Sequence, residues 1–306
     1  MQISRRHHFV PEFYLKTWLG SDGRGLWLYQ RDFKNKIRAD RRPTKAVGHV
    51  KDLYTLLPEF RGREDIGSRP DALETGFFAL LDADAAIVHQ KLLAFGLNGL
   101  SEQEKYTWAK FLNSLMERGP ARISEIEASD SIERIQKDLI QRFGNSSSAD
   151  RILKSLDVEA IYKNSIRGAL VSFINDEKFL KHVVEKMQWT IVHNVVAGEH
   201  FITSDVPLLI NVDGYSRPIH CMSLALSPTR LMIIHTKSGE FDDDFLRTLA
   251  VMYNIQVIGT AEKYIFSSKK LDDGSHTKYS KALKEFFRRP KEDSRKSDIQ
   301  PSDDNL

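Results

Sequence analysis

The chain has a single cysteine, Cys221, among its 306 residues. No internal disulfide can form, and no zinc site built on paired cysteines is available. One lone thiol also fits a reducing compartment. Long apolar runs are missing too, since no stretch approaches the ~18 residues that a membrane helix needs. Met1 to His8 carries two arginines, and Phe9-Val10-Pro11-Glu12 follows where a secretion signal would have its apolar core. The expected location is therefore the cytoplasm, with no membrane partner. Charge of one sign is scarce: 45 Lys and Arg stand against 42 Asp and Glu, a formal net charge of +3. Any nucleic-acid contact must then rest on a local patch, not on the field of the whole chain. What is present is ordinary for a globular chain, with 41% hydrophobic and 28% charged residues, enough to build a sizeable core. No internal repeat is found.

The pattern of side chains divides the chain into three stretches. Pro11 to Lys16 reads as a short helix opening, with proline at a position that needs no amide hydrogen. Leu26 to Tyr29 and Leu53 to Leu56 read as short strands rich in β-forming residues. From about Pro70 the spacing becomes helical: Leu73, Phe77, Leu80, Leu81 and Ala85 recur at three and four residues. Ser101 followed by Glu104 is a capping box that opens a second helix, which should stop at Gly119-Pro120. Further helices are expected at about 121–143, 157–175 and 177–187, with Ser146-Ser147-Ser148 as a short linker. Beyond Gln188 strands return. Trp189–His193 and Phe201–Thr203 flank an Ala197-Gly198 turn and read as a hairpin, which would let His193 and His200 face each other. Leu224–Leu226, Leu231–Ile234 and Tyr264–Phe266 read as strands, and Phe245–Tyr253 as a helix.

Strands, then helices, then strands again indicate an α+β fold. The N- and C-terminal strands are expected to share a mixed or antiparallel sheet, with a helical insert at about 68–187. One domain is expected over 1–288, followed by a charged, disordered tail over 289–306.

Three stretches together resemble the bacterial family filed as domain of unknown function 4238. Arg6-His7-His8-Phe9-Val10-Pro11-Glu12-Phe13-Tyr14-Leu15 is similar to its opening His-x-x-Pro-Gln-x-Tyr-Leu pattern. Phe201-Ile202-Thr203-Ser204-Asp205-Val206-Pro207 is similar to its Thr-Ser-Asp-Asn-Pro strand end, with Leu226-Ser227-Pro228 following. Asn254 and Ala261–Phe266 resemble its closing helix and strand, and Arg118 another recurring position. Glu12 and Val206 depart from the family's usual glutamine and asparagine. The family has no settled activity, so the resemblance implies a fold group more than a reaction.

Among the polar residues, His8 stands first as a general acid or base, because imidazole titrates near neutrality. Its bland role is to cap the helix or bond a carbonyl. His7 is a weaker candidate by the same logic. Asp205, at a strand end, could orient His8, bind a cation or accept a proton; otherwise it closes an Asx turn. Arg118 could clamp a phosphate through its planar fork, or instead pair with an acid or the helix dipole. Glu12, Tyr14, Ser204 and Asn254 complete the set as substrate-binding candidates. Ser204 has no Gly-x-Ser-x-Gly elbow, which argues against acyl-hydrolase chemistry. A divalent metal held by His8, Glu12 and Asp205 is conceivable. No phosphate-gripping glycine loop occurs, and Asp242-Asp243-Asp244 suits a helix N-terminus better than calcium.

These residues suggest a hydrolase acting on a phosphate-bearing substrate such as a nucleotide or nucleic acid, with host defence a matter of analogy. The alternative is a non-catalytic ligand-sensing or protein-binding module. In that reading the polar residues are structural and the helical insert supplies the partner surface.

Overall fold

A computed structural model describes residues 3–31, 37–60, 69–129, 131–143, 151, 154–194, 196, 198–212, 219–236, 242–271 and 279–288. The expected tail, the Ser146–Ser148 linker and Ala197 lie outside the described residues. The architecture is α+β. Strand β1 (Arg6–His8) leads through Pro11 into α1 (Glu12–Leu15). Strands β2 (Leu26–Arg31) and β3 (Ile37–Arg42) pair antiparallel, and β4 (His49–Lys51) returns to β1 in the register His8↔His49. Gly48 makes that return possible. It sits at φ 69°, and a Cβ there would lie 2.9 Å from the Val10 carbonyl oxygen, so only glycine fits. Its own carbonyl accepts from both Phe9 and Val10 N–H.

A π-helical turn, Leu73–Phe78, runs into α2 (Ala79–Phe95). Then come α3 (Glu102–Glu117), α4 (Pro120–Ser129), α5 (Ile132–Phe143), α6 (Val158–Ile174) and α7 (Glu177–Lys181). The capping box at Ser101 and Glu104 forms as the sequence predicts. The remaining elements are β5 (Gln188–His193), β6 (Thr203–Ser204), β7 (Leu209–Val212), β8 (Ile219–Ser227), β9 (Arg230–His235), α8 (Asp243–Thr260), β10 (Tyr264–Ser267) and α9 (Ser280–Arg288).

The strands form two four-stranded sheets, in the orders β3-β2-β10-β6 and β5-β9-β8-β7, besides the β1-β4 pair. All described pairings are antiparallel. N- and C-terminal strands do share a sheet, since β2 pairs with β10. In β9, Leu231 to Ile234 are all buried. Successive strand residues point to opposite faces, so this strand is covered on both sides. Helices do the covering. His89 of α2 donates to the Leu226 carbonyl, Trp108 of α3 donates to the Met232 sulfur, and Tyr253 of α8 accepts the Ala225 N–H.

Four expectations need correction. Leu53–Leu56 is no strand. Asp52 turns the chain at φ 58°, and the Tyr54 N–H is consumed by a side chain, not by a ladder. The stretch 121–143 is two helices. Trp189–His193 and Phe201–Thr203 do not form a hairpin: β5 pairs with β9 and β6 with β10, in different sheets. His193 and His200 therefore do not meet across one, and His200 bonds Ser268 instead. Finally, α9 is the last described element, at a place where no helix is expected.

Replacing Ser101 by Ala removes the α3 cap. Chemical denaturation should show a loss of about 1 kcal/mol; an unchanged midpoint would mean the cap is idle.

Candidate functional site

The adjacent histidines 7 and 8 have opposite fates, because neighbours on a strand face opposite ways. His7 is buried and saturated. Its Nδ1 accepts the Tyr54 N–H at 2.8 Å, which leaves Nε2 as the protonated nitrogen, donating to the Ser4 carbonyl at 3.1 Å. The ring also stacks on Tyr54, with centroids 5.6 Å apart. His8 is held by its backbone, whose N–H donates to Glu74 Oε1 at 3.1 Å. Its ring lies edge-on to His49, 5.4 Å away, and its buried Nε2 has no protein partner among the described residues.

Arg118 is the C-cap of α3, and its carbonyl accepts the Tyr54 hydroxyl at 2.6 Å. Its side chain is wholly buried, packed over the Phe78 and Phe111 rings at 5.7 and 5.9 Å. A buried guanidinium needs a counter-charge. Asp82 of α2 supplies it, taking Nη1 at 2.9 Å. Nε and Nη2, two buried donors of a rigid planar fork, have no protein partner among the described residues. Glu74 Oε2 is likewise buried without a partner. The electric fields of these groups overlap. His8 feels Arg118, and Glu74 feels both Arg118 and Asp82. The result is a buried polar cluster in which two guanidinium donors, one carboxylate oxygen and one imidazole nitrogen have no protein partner among the described residues.

Burial dominates the titration of each member. It pushes Glu74 up to about 7, against the His8 N–H and Arg118, and lowers His8 to about 4, with His49 and Arg118 adding to the effect. Burial also raises Asp82, opposed by Arg118, and lowers His49. At neutral pH the imidazole is therefore uncharged, while Glu74 lies close to its midpoint.

The other candidates are engaged elsewhere. Asp205 lies in the link from β6 to β7, where the chain passes from one sheet to the other. Its Oδ1 accepts from Glu262 N–H at 3.0 Å, and its Oδ2 from Lys263 and Tyr264 N–H at 2.6 and 3.0 Å. Burial raises it to about 6 in spite of these three donors. Ser204 Oγ accepts from Val206 N–H and donates to the Val206 carbonyl. The Tyr14 hydroxyl donates to the Ala225 carbonyl and lies 3.0 Å from the Thr203 hydroxyl. Asn254 accepts from Ile202 N–H and donates to the His200 carbonyl and the Tyr279 hydroxyl. Glu12 accepts from the Thr44 hydroxyl and pairs with Lys16 at 3.5 Å, though its charge still reaches His8. His8 and Arg118 are thus brought together, and both oxygens of Asp205 are taken up by backbone at a different joint.

Sequence reasoning missed Glu74 and Asp82. They stand four residues to either side of Phe78, a spacing that solvated acids share, so no local signal marks them as buried. Among the described residues, no three His, Cys, Asp or Glu side chains are grouped to hold a metal ion. Nor is any described helix long and apolar enough to cross a membrane.

An antiparallel α+β protein with such a cluster defines a class by architecture, not by reaction. The family model described as "protein of unknown function (DUF4238)" matches residues 6–271, and the chain belongs to that family. No curated protein and no solved structure matches it.

Two predictions test these assignments. Glu74 has a folded pKa above its unfolded value, so its contribution to stability is complete below about 4.5 and is lost as pH rises through about 7. The Glu74→Gln variant escapes that loss. Its melting temperature relative to wild type should climb between pH 5 and 8, and a constant difference would refute the shift. Asp205→Ala strands three backbone donors, each costing about 1–3 kcal/mol if it stays buried. Thermal melts should show severe destabilisation, whereas a wild-type melt would return Asp205 to the list of free reactive groups.

Proposed function

We propose that the protein is a hydrolase acting on a phosphate-bearing substrate, a nucleotide or a nucleic-acid end, at the cluster of His8, Glu74 and Arg118. The observation that supports this reading is that Arg118 Nε and Nη2, Glu74 Oε2 and His8 Nε2 are four buried polar atoms without protein partners among the described residues, on side chains near enough for Arg118 to act electrostatically on the other two. The unpaired edge of a guanidinium matches two phosphate oxygens in one plane, and in a buried site it stabilises charge that develops on them. Glu74, titrating near neutrality, suits proton exchange. Its carboxylate takes a proton from water as the water oxygen bonds to phosphorus. The phosphorus–oxygen bond to the leaving group then breaks, and the same proton passes to the departing oxygen. His8, kept neutral by burial, hydrogen-bonds the phosphoryl group without adding charge. Asp82 positions the guanidinium, and Asp205 belongs to the scaffold in this reading.

A second reading rests on a different observation. Tyr14, Ser204, Asp205 and Asn254 all have their hydrogen-bonding groups engaged within the protein. The same chain could be a ligand-sensing or protein-binding module that holds a phosphate-bearing ligand without cleaving it. Turnover separates the two.

Purified protein assayed against nucleoside phosphates and short oligonucleotides should release product at a rate rising through about pH 7. Glu74→Gln and Arg118→Lys should each reduce that rate at least ~100-fold. Saturable ligand binding without turnover would favour the sensing module. Neither binding nor turnover across the panel would end both readings.

A further inference from the structure

Helix α2 carries large apolar side chains on two faces, with Asp84, Gln90 and Lys91 interspersed on the outer one. The inner face buries Leu81, Ala85, Val88, His89 and Leu92. The outer face carries Leu80, Ile87 and Phe95 at 68%, 57% and 70% exposure, the highest values among the exposed large hydrophobics. Exposed apolar side chains grouped along one helix are a feature of interaction surfaces.

The outer stripe is arranged to match itself. At ~100° per residue, Leu80 and Ala94 lie ~20° to either side of Ile87, and each is ~10 Å from it along the axis. An antiparallel copy placed on a two-fold axis through Ile87 therefore sets each large Leu80 against a small Ala94. Ile87 packs on its own equivalent, and Ala83 leaves room for close approach. The charges match as well. Asp84 and Lys91 lie on the same side of the stripe at nearly equal heights above and below the axis. The antiparallel arrangement thus brings Asp84 of each copy next to Lys91 of the other. Lys91 is already held in place by Glu104 at 2.6 Å. Leu80, Ala83, Ile87, Gln90 and Ala94 follow the three-and-four spacing of a two-helix seam, with Gln90 its one polar position.

From this match of size and charge we infer that α2 is a homodimer interface: two copies of the chain pair antiparallel through Leu80, Ile87 and Ala94, with a reciprocal Asp84–Lys91 ion pair on the flank. A two-fold contact of this kind is self-complementary by construction, each patch meeting its own image. The interface is independent of the hydrolase reading. Asp82, on the inner side of the same helix, holds Arg118, so the two roles fall on opposite faces.

Sedimentation of the full chain over a concentration series tests it. Wild type should pass from one to two chain masses as concentration rises, and Ile87→Glu should remain monomeric. Asp84→Lys should weaken association, while Phe173→Glu, which alters an exposed apolar residue of α6, should leave it intact. Because Ile87 is exposed, circular dichroism should show all variants folded. A second measurement does not rely on disruption. In a Cys221→Ser background, Ile87→Cys should cross-link two copies on mild oxidation, since the site lies on the axis. A wild type that is monomeric throughout, a dimer that survives Ile87→Glu, or an Ile87→Cys variant that fails to cross-link would each overturn the interface.

Discussion

The buried guanidinium of Arg118 constrains everything around it. A cation removed from water is tolerated only where charge, dipoles and aromatic faces replace the lost hydration. Asp82 gives the charge, and Phe78 and Phe111 give the faces. The residue's own carbonyl is pinned by the Tyr54 hydroxyl, and Tyr54 in turn is held by His7 through its backbone. One residue, through its side chain and its carbonyl, thereby ties the end of α3, the π-helical start of α2 and the first strand of the chain into a single unit. That unit aims the His8 backbone at Glu74. The open edge of the guanidinium is what this compensation leaves over.

A second set of buried polar contacts fixes the sheets. The chain crosses from one four-stranded sheet to the other between β6 and β7, and Asp205 clamps the crossing to the start of β10. Tyr14 reaches from α1 to Thr203 on one side and Ala225 on the other, so the first helix is bonded to both sheets. Asn254 closes the same region from α8. In such networks each group is satisfied only if every element is in register, which makes them specify one arrangement of the chain. The Thr203-Ser204-Asp205 stretch and Tyr14 thus have their hydrogen-bonding groups engaged in joining the two sheets. The groups left over are the unusual ones.

Periodicity and capping were legible because they are local. The Ser101–Glu104 box, the apolar spacing of α2 and α3, and the β8–β9 pair divided at Pro228 all follow from neighbours in sequence. The partner of β5 was not legible, because strand pairing is a long-range choice. Trp189–His193 and Phe201–Thr203 carry the right residues for a hairpin, yet each pairs with a distant strand in a different sheet. Of the site, His8 and Arg118 could be read as reactive types near helix ends. Glu74 and Asp82 could not, because acids on a helix are usually solvated. Their burial follows from the π turn and from Arg118, which no spacing announces. For Asp205 the sequence offers the Asx alternative, but it cannot say which amides lie within reach.

The central claim is that Arg118 presents Nε and Nη2 to a phosphate-bearing ligand. The most direct test follows the Arg118 Nε–H resonance by NMR, assigned by its loss in Arg118→Lys, while inorganic phosphate and then a nucleoside monophosphate are added. A saturable shift of that resonance, absent with a neutral nucleoside, is predicted. A resonance that stays in place while the rest of the spectrum is unchanged would mean that the guanidinium serves the fold alone.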